Sequence, residues 1–367
     1  MRYVTLLAIL LAATASTEPQ KAPVSFSRYF VAAESYESVG VFDVDNDDTL
    51  DIVSGDFWYK GPRFRNRYLI DNQPRKNQYY DDFSTIPFDV NGDGRTDFIT
   101  GGWFDGTLRW MENKGDKPWV RHELAKVGNV ECSRAWDVDG DGTLEICPNT
   151  PGHPLKYFKH QPGGMFKQID VAPTQGHGLG FGDINGDGKG DFIVSDGWLQ
   201  APNWTLHKEF SLGTTSVPIL VVDVNGDGRN DLIVGQGHGY GLNWYEQKPG
   251  ANGQRAWTKH IIDDKNSQYH AMEWVDVTGD GKPELVTGKR YRAHNGKDPG
   301  AEDPVGLYYF TLDKGKFTKH IISHGPAGEG KGTGIYFAVA DLRKTGRNDI
   351  VVAGKDGLAV FFNEGAK

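Results

Sequence analysis

Short apolar runs separated by acidic turns set the rhythm of this chain. Phe98-Ile99-Thr100, Leu108-Arg109-Trp110 and Val120-Arg121-His122-Glu123-Leu124 form one such succession. Runs of this length, rich in β-branched and aromatic residues, predict strands rather than helices. Apolar and polar residues alternate along Phe166–Val171, Leu206–Leu212, Trp257–Ile262 and Phe317–Ile322. Alternation of that kind predicts half-buried outer strands, and it places His122, His260 and His320 on a rim with no catalytic part.

Between the first two strands of each unit stands D-x-[DN]-x-D-G-x-x-[DE]. It begins at Asp43, Asp89, Asp137, Asp183, Asp223 and Asp276, with a degraded copy at Asp341. A unit of several short strands recurring every ~40–65 residues reads as a propeller blade, and seven units predict seven blades. Ser27–Val31 has the pattern of an outer strand but precedes the first inner one. After the seventh loop only Ile350–Ala353 and Leu358–Asn363 remain. The N-terminal strand is therefore expected to complete the last blade, which closes the ring and covers a sheet edge. The expected fold is all-β, a seven-bladed propeller of four-stranded blades with calcium-binding loops between strands A and B.

Arg2, the apolar run Val4–Ala13 and Ala13-Thr14-Ala15 have the order of a secretory signal. A signal peptide is expected over residues 1–15 and one propeller domain over 16–367, in a secreted or periplasmic protein. The run is too short for a bilayer, which needs about 20 apolar residues, so no membrane insertion is expected. The net charge of −9 argues against nucleic acid as a partner. Abundant glycine (48 residues) and 12% aromatics fit tight turns and a surface suited to carbohydrate. A hairpin register centred on Asp141 sets Cys132 opposite Thr150 rather than Cys147, and a disulfide between the two cysteines is left open.

The loops have the chemistry of a hard-cation cage. Oxygens at positions 1, 3, 5 and 9, a carbonyl at 7 and a turn-permitting glycine at 6 suit calcium better than magnesium. The expected ligands are Asp43, Asp45, Asp47 and Asp51; Asp89, Asn91, Asp93 and Asp97; Asp137, Asp139, Asp141 and Glu145. They continue with Asp183, Asn185, Asp187 and Asp191; Asp223, Asn225, Asp227 and Asp231; and Asp276, Thr278, Asp280 and Glu284. One such stretch is an ordinary acidic turn, but six in register are a device, giving up to six structural calcium sites. Blade 7 has Arg343 and Thr345 at ligand positions and is expected to hold the arginine cation instead of an ion. These loops and their flanking strands resemble the FG-GAP or VCBS repeats of integrin α-chains and many exported bacterial proteins. The resemblance implies fold and calcium, and says little about activity.

The starts of the A strands and the ends of the B strands meet at the face opposite the loops. That face is expected to gather Glu37, Phe83, Glu131, His177, Val217, His270 and Ile335 from one side. From the other come Asp56, Trp58, Trp103, His153, Asp196, Trp198, His238, Lys289, Arg290 and His294. Five of the eleven histidines fall there, together with cations and aromatic rings. Histidines suit proton transfer near neutrality or a divalent metal, zinc or magnesium. Lys289 and Arg290 suit an anion or a developing enolate, and the tryptophans suit sugar rings. For any one histidine, a hydrogen bond to a neighbouring carbonyl is an equally good account. No nucleophile elbow and no phosphate-cradling loop is present.

Tyr269-His270-Ala271-Met272-Glu273-Trp274, Thr287–His294, Asp298-Pro299-Gly300, Gly176-His177-Gly178 and Asp196-Gly197-Trp198 resemble the propeller of the aldos-2-ulose dehydratase family. That resemblance implies a carbohydrate substrate, a metal in the reaction site and β-elimination beside a carbonyl. His177 or His270 would take the α-proton, Lys289, Arg290 or the metal would stabilise the enolate, and His294 would assist the leaving group. His238 and His153 complete the catalytic candidates; Trp58, Trp103, Asp196, Trp198, Tyr269 and Arg292 are the candidate substrate contacts. Two other readings stay open: a non-catalytic module for glycans or proteins, and a lyase for acidic polysaccharides in which Lys289, Arg290 and Arg292 grip uronates.

Overall fold

The computed structural model describes residues 23–251 and 254–366. The expected signal peptide lies outside the described residues. Among the described residues, seven four-stranded antiparallel sheets form the ring, and a two-stranded hairpin of Arg75–Lys76 and Tyr79–Tyr80 is added between blades 1 and 2. Blade 1 comprises Gly40–Phe42, Asp51–Ser54, Phe57–Tyr59 and Arg67–Leu69, and blade 2 comprises Ile86–Phe88, Asp97–Gly101, Thr107–Glu112 and Val120–Lys126. Blade 3 is Cys132–Trp136, Glu145–Asn149, Leu155–Gln161 and Met165–Ala172; blade 4 is Leu179–Gly182, Asp191–Val194, Gly197–Gln200 and Thr205–His207. Blade 5 runs through Leu220–Val222, Asp231–Gly235, Tyr240–Pro249 and Arg255–Ser267. Blade 6 runs through Met272–Val275, Glu284–Gly288, Val305–Asp313 and Lys316–Gly325. In blade 7, Ala338–Ala340, Asp349–Gly354 and Gly357–Ala366 are joined by the N-terminal strand Val24–Ala32, as the strand count predicts.

The core lies between blades, where facing sheets interdigitate. Ile86, Ile99, Leu108, Val130, Ile146 and Phe158 fill the space between blades 2 and 3, all buried. The inner strands approach so closely that some positions tolerate only glycine: a Cβ on Gly180 would stand 2.3 Å from the carbonyl oxygen of Ile219 in the next blade. This crowding pulls the inner strand ends of all blades towards one axis, which lets residues far apart in sequence share a site.

Two local expectations change. The outer strand of blade 4 stops at His207 instead of reaching Leu212, because Glu209 turns to an ion pair with Arg255 of blade 5. Cys132 pairs with Asn149 and Cys147 with Arg134. Trp136 pairs with Glu145, so the hairpin centre falls between Gly140 and Asp141, half a residue from the expected one. Both thiols are free and buried. His122, His260 and His320 do sit on the rim, stacked on Trp110, Trp244 and Tyr309.

Candidate metal centre at the propeller axis

Three imidazoles and one carboxylate converge where the inner strands begin. Glu131 stands just before strand A of blade 3, His177 before strand A of blade 4 and His270 before strand A of blade 6, while His238 follows strand B of blade 5. The Nε2 of His270 lies 2.8 Å from Glu131 Oε1, and the Nε2 atoms of His177 and His238 lie 3.4 and 4.0 Å from the same oxygen. His177 Nε2 and His238 Nε2 are 2.8 Å apart. Glu131 and His270 are buried, and the other two rings are nearly so.

The hydrogen bonds behind these rings decide which nitrogens carry protons. His177 Nδ1 is 2.9 Å from the carbonyl oxygen of Thr215, which can only accept, so this nitrogen donates. His238 Nδ1 lies 2.7 Å from a carboxylate oxygen of Asp298 and also donates. In the neutral rings both Nε2 atoms then present lone pairs to each other at 2.8 Å, a repulsive contact that a cation between them relieves. Adding a proton is a poor remedy, since burial and the neighbouring His270 and His177 push His238 down to about 3. Burial likewise lowers His270 to about 4, and its Nδ1 is buried without a partner. Glu131 is desolvated by burial, yet His177 and His270 outweigh that and hold it well below the usual carboxylate range. Four potential ligand atoms within 4.8 Å of one another match the span around a single zinc-sized ion.

Asp298 arrives from the long insertion between strands B and C of blade 6 and holds two histidines. Its second oxygen accepts from His294 Nδ1 at 2.7 Å, and the His294 ring stacks on His238. Beside the cluster opens a cavity of about 310 Å³, lined by the aromatic residues Tyr79, Phe83, Trp103 and Phe104 and by the polar residues Asn77, Glu131, Arg290, His294 and Asn295.

Of the remaining sequence candidates, Arg290 and Trp103 line the cavity and the others do not. Arg290 is buried and bidentate to Glu37, at 2.9 and 3.2 Å; despite desolvation, Glu37 holds its guanidinium firmly charged. Lys289 is buried with one hydrogen bond, to Gln268 at 3.3 Å, and burial lowers it to about 8. Arg292 pairs with Glu302. His153 bonds Asn129, one layer behind Trp103. Trp58 stacks on Tyr68 and Trp198 on His207, both in outer strands, while Asp196 is exposed. Tyr269 is buried with its hydroxyl donating to Asp263. Of the aromatic candidates, Trp103 lines the cavity. Sequence pattern alone does not mark Glu131 or Asp298 as a metal-binding or catalytic group: the one is a single acid before Cys132, the other lies in an irregular insertion.

At the opposite face, the loop carboxylates fold inward. In blade 2, Asp89 accepts the backbone N–H groups of Gly92, Asp93 and Gly94, and Asp97 accepts those of Val90 and Asn113. Asp276, Asp280 and Glu284 converge in blade 6, and a buried oxygen of Asp191 in blade 4 has no partner. Burial raises Asp97 and Asp191 to about 6. Crowded, desolvated oxygens of this kind fit a hard cation. In blade 7, Arg343 reaches Asp349 at 3.2 Å, as expected from its place in the loop.

Among the described residues no helix is long and apolar enough to cross a membrane. No curated protein matches the chain in sequence. BBS1N, solved in complex with ARL6DN in a mercury-soaked crystal, superposes with a TM-score of 0.55 at 14% identity, covering 93% of this chain and 96% of that one. A lead-soaked crystal of the same complex gives 0.53 at 14% identity, covering 92% and 96%. The V. cholerae biofilm matrix protein Bap1 gives 0.39 at 18% identity over 87% of this chain and 45% of that one. A family model for the FG-GAP-like repeat matches residues 89–147 and 223–287, each running from one loop to the second strand of the following blade. The chain thus carries FG-GAP-like repeats on a seven-bladed β-propeller.

Proposed function

We propose that this protein is an exported, metal-dependent carbon–oxygen lyase that eliminates water or another leaving group from a keto-sugar or oxidised glycoside. The observation that carries the reading is the pair of inward-facing Nε2 lone pairs on His177 and His238, beside His270 and Glu131. Three imidazoles favour zinc over magnesium, which prefers oxygen ligands and retained waters. When bound, such an ion supplies Lewis acidity that polarises a substrate carbonyl and acidifies the adjacent C–H.

The chain's own groups divide the remaining work. His270 is fully buried and His177 nearly so; both serve as ligands in this reading, in place of the base role the family resemblance implies for one of them. His294 is over half exposed, lines the cavity and is oriented by Asp298, so it is the group placed to move the proton. Tyr79, Phe83, Trp103 and Phe104 offer flat apolar faces to a sugar ring. Arg290 fixes Glu37 and flanks Glu131 at 3.7 Å, which makes it a positioning residue. The loops at the other face take structural calcium.

The acidic-polysaccharide reading loses its basis, because Arg290 and Arg292 are paired with carboxylates and Lys289 is buried. A non-catalytic module remains the rival; the BBS1N structure records a propeller held in a protein complex. The test is incubation with 2-keto and 3-keto glycosides, following enone absorbance with and without chelator, alongside elemental analysis. Chelator-sensitive elimination with one transition metal per chain is expected. A protein that contains calcium alone and releases no enone is a binding module.

A further inference from the structure

In each blade one strand C residue stands opposite the acid at loop position 9, and its chemistry changes with loop position 3. Where that position is Asn, strand C offers an acid or an amide: Asn91 donates to Glu112 at 2.9 Å and Asn225 to Glu246 at 3.2 Å, while Gln200 holds the place in blade 4. Where it is Arg343, that place is Phe362, whose ring lies 4.6 Å from the guanidinium, and Glu364 two residues further on pairs with the same arginine at 3.3 Å. Where it is Asp, in blades 1 and 3, strand C offers Lys60 and Lys159. Blade 6 has threonine at both places, Thr278 and Thr311. Within one chain, a lysine on strand C thus accompanies an aspartate at loop position 3, in blades 1 and 3, and a neutral or acidic side chain accompanies asparagine or threonine there.

The two lysines do more than flank their loops. In blade 3 the backbone N–H of Thr143 occupies Asp141 Oδ1 at 2.9 Å, and that of Val138 occupies Glu145 Oε2 at 2.7 Å. Asp141 Oδ2 and Glu145 Oε1 are left facing the cage. Lys159 Nζ lies 2.6 Å from the first and 3.7 Å from the second, and it also bonds Asp139. Blade 1 repeats this: Thr49 N–H takes Asp47 Oδ1, and Lys60 Nζ stands 2.9 Å from Asp47 Oδ2 while bonding Asp45. An ammonium has three donors and no acceptor, so it meets several carboxylates as a small cation does. It takes oxygens of Asp139 and Asp141, and of Asp45 and Asp47, that a calcium ion would need, while Asp137 Oδ1 and Glu145 Oε1 keep no hydrogen-bond partner.

We propose that the loops of blades 1 and 3 are closed by an internal ammonium, from Lys60 and Lys159, and take no tight divalent ion. Blade 7 does the same with the Arg343 guanidinium. Tight calcium sites are then those of blades 2, 4, 5 and 6. This inference rests on the calcium reading of those four loops.

The test is a calcium count on the full-length protein, stripped with chelator, reloaded and measured by elemental analysis and titration calorimetry. Wild type is expected to hold four calcium ions, Lys60→Met and Lys159→Met five each, and the double variant six. Lys60→Arg and Lys159→Arg keep a cation in place and are expected to hold four. Six ions in the wild type, or a count unchanged in the double variant, overturns the inference and makes the lysines outer partners of bound ions. No calcium in any variant refutes the calcium reading as well. Should a methionine variant not fold, the wild-type count still decides between four and six.

Discussion

Replacing Arg290 by methionine separates a structural role from a substrate-binding one. Its guanidinium makes two hydrogen bonds to Glu37, both groups being nearly inaccessible to solvent. Removal leaves Glu37 buried with Lys355 Nζ at 3.4 Å as its remaining cation. Breaking a buried pair by deleting one member typically costs about 3–5 kcal/mol, because the survivor stays desolvated. With Lys355 still present, the lower end is expected here. Unfolding entropy of ~2.1 cal/mol/K per residue gives roughly 0.7 kcal/mol/K for a chain of this size, so a loss of about 3 kcal/mol should lower the melting temperature by about 4 °C. Glu37→Gln in the same chain removes the stranded charge and should recover about 1–3 kcal/mol. Thermal and urea melts followed by tryptophan fluorescence measure both. A single variant that melts within about 1 °C of wild type, yet loses turnover, would show that the guanidinium serves the substrate and that the pairing argument is wrong.

Asp298→Ala removes the acceptor that orients His238 and should weaken transition-metal binding about 10–100-fold, read by competition with a chelator, with calcium content unchanged. Metal-stripped protein should lose stability on acidification. His270 is neutral in the fold down to about 4, whereas an unfolded histidine protonates near 6.5, so between those values the unfolded chain binds more protons. The loss is roughly 3 kcal/mol between pH 7 and pH 4, seen as a falling urea midpoint; a flat profile refutes a buried neutral imidazole. Trp103→Ala should raise KM several-fold with kcat largely kept, since it removes a stacking wall and no reacting group. An equal fall in kcat and kcat/KM would instead place Trp103 at the transition state.

The ring and its loops were legible because their information is local. Nine consecutive positions carry a whole cage, and the seven copies count the blades. The axial site was legible only in part, through the rule that strand A starts and strand B ends meet. That rule found His177, His238 and His270, and it failed in instructive places. In blades 1 and 4 the hairpin between strands B and C is so tight that Trp58 pairs with Val53 and Trp198 with Ile193. Both tryptophans have already turned back along strand C, away from the axis. Blade 2 has a longer loop after Gly101, so Trp103 remains at the mouth. Asp298 could not be placed by period, since it belongs to an insertion that no other blade repeats.

The two faces also differ in how their charges are balanced, and this explains what the sequence could and could not disclose. At the loops, carboxylates meet cations of their own blade at Lys60, Lys159 and Arg343, and the other four loops are those proposed to take calcium. Even so, the strand C partner becomes visible only after blades of different hairpin length are brought into register: Lys60 and Glu112 occupy equivalent places at different distances from Asp51 and Asp97. At the axis, balance is struck across the ring. Glu131 meets His270 at a separation of 139 residues, and Arg290 meets Glu37 at 253. Such contacts exist only once the N-terminal strand has closed blade 7 and all blades face inward. The axial cluster is therefore a product of ring closure, and a chain that forms its loops without closing should lose the proposed transition-metal site while keeping the proposed calcium sites, which metal analysis of a variant lacking the N-terminal strand would read.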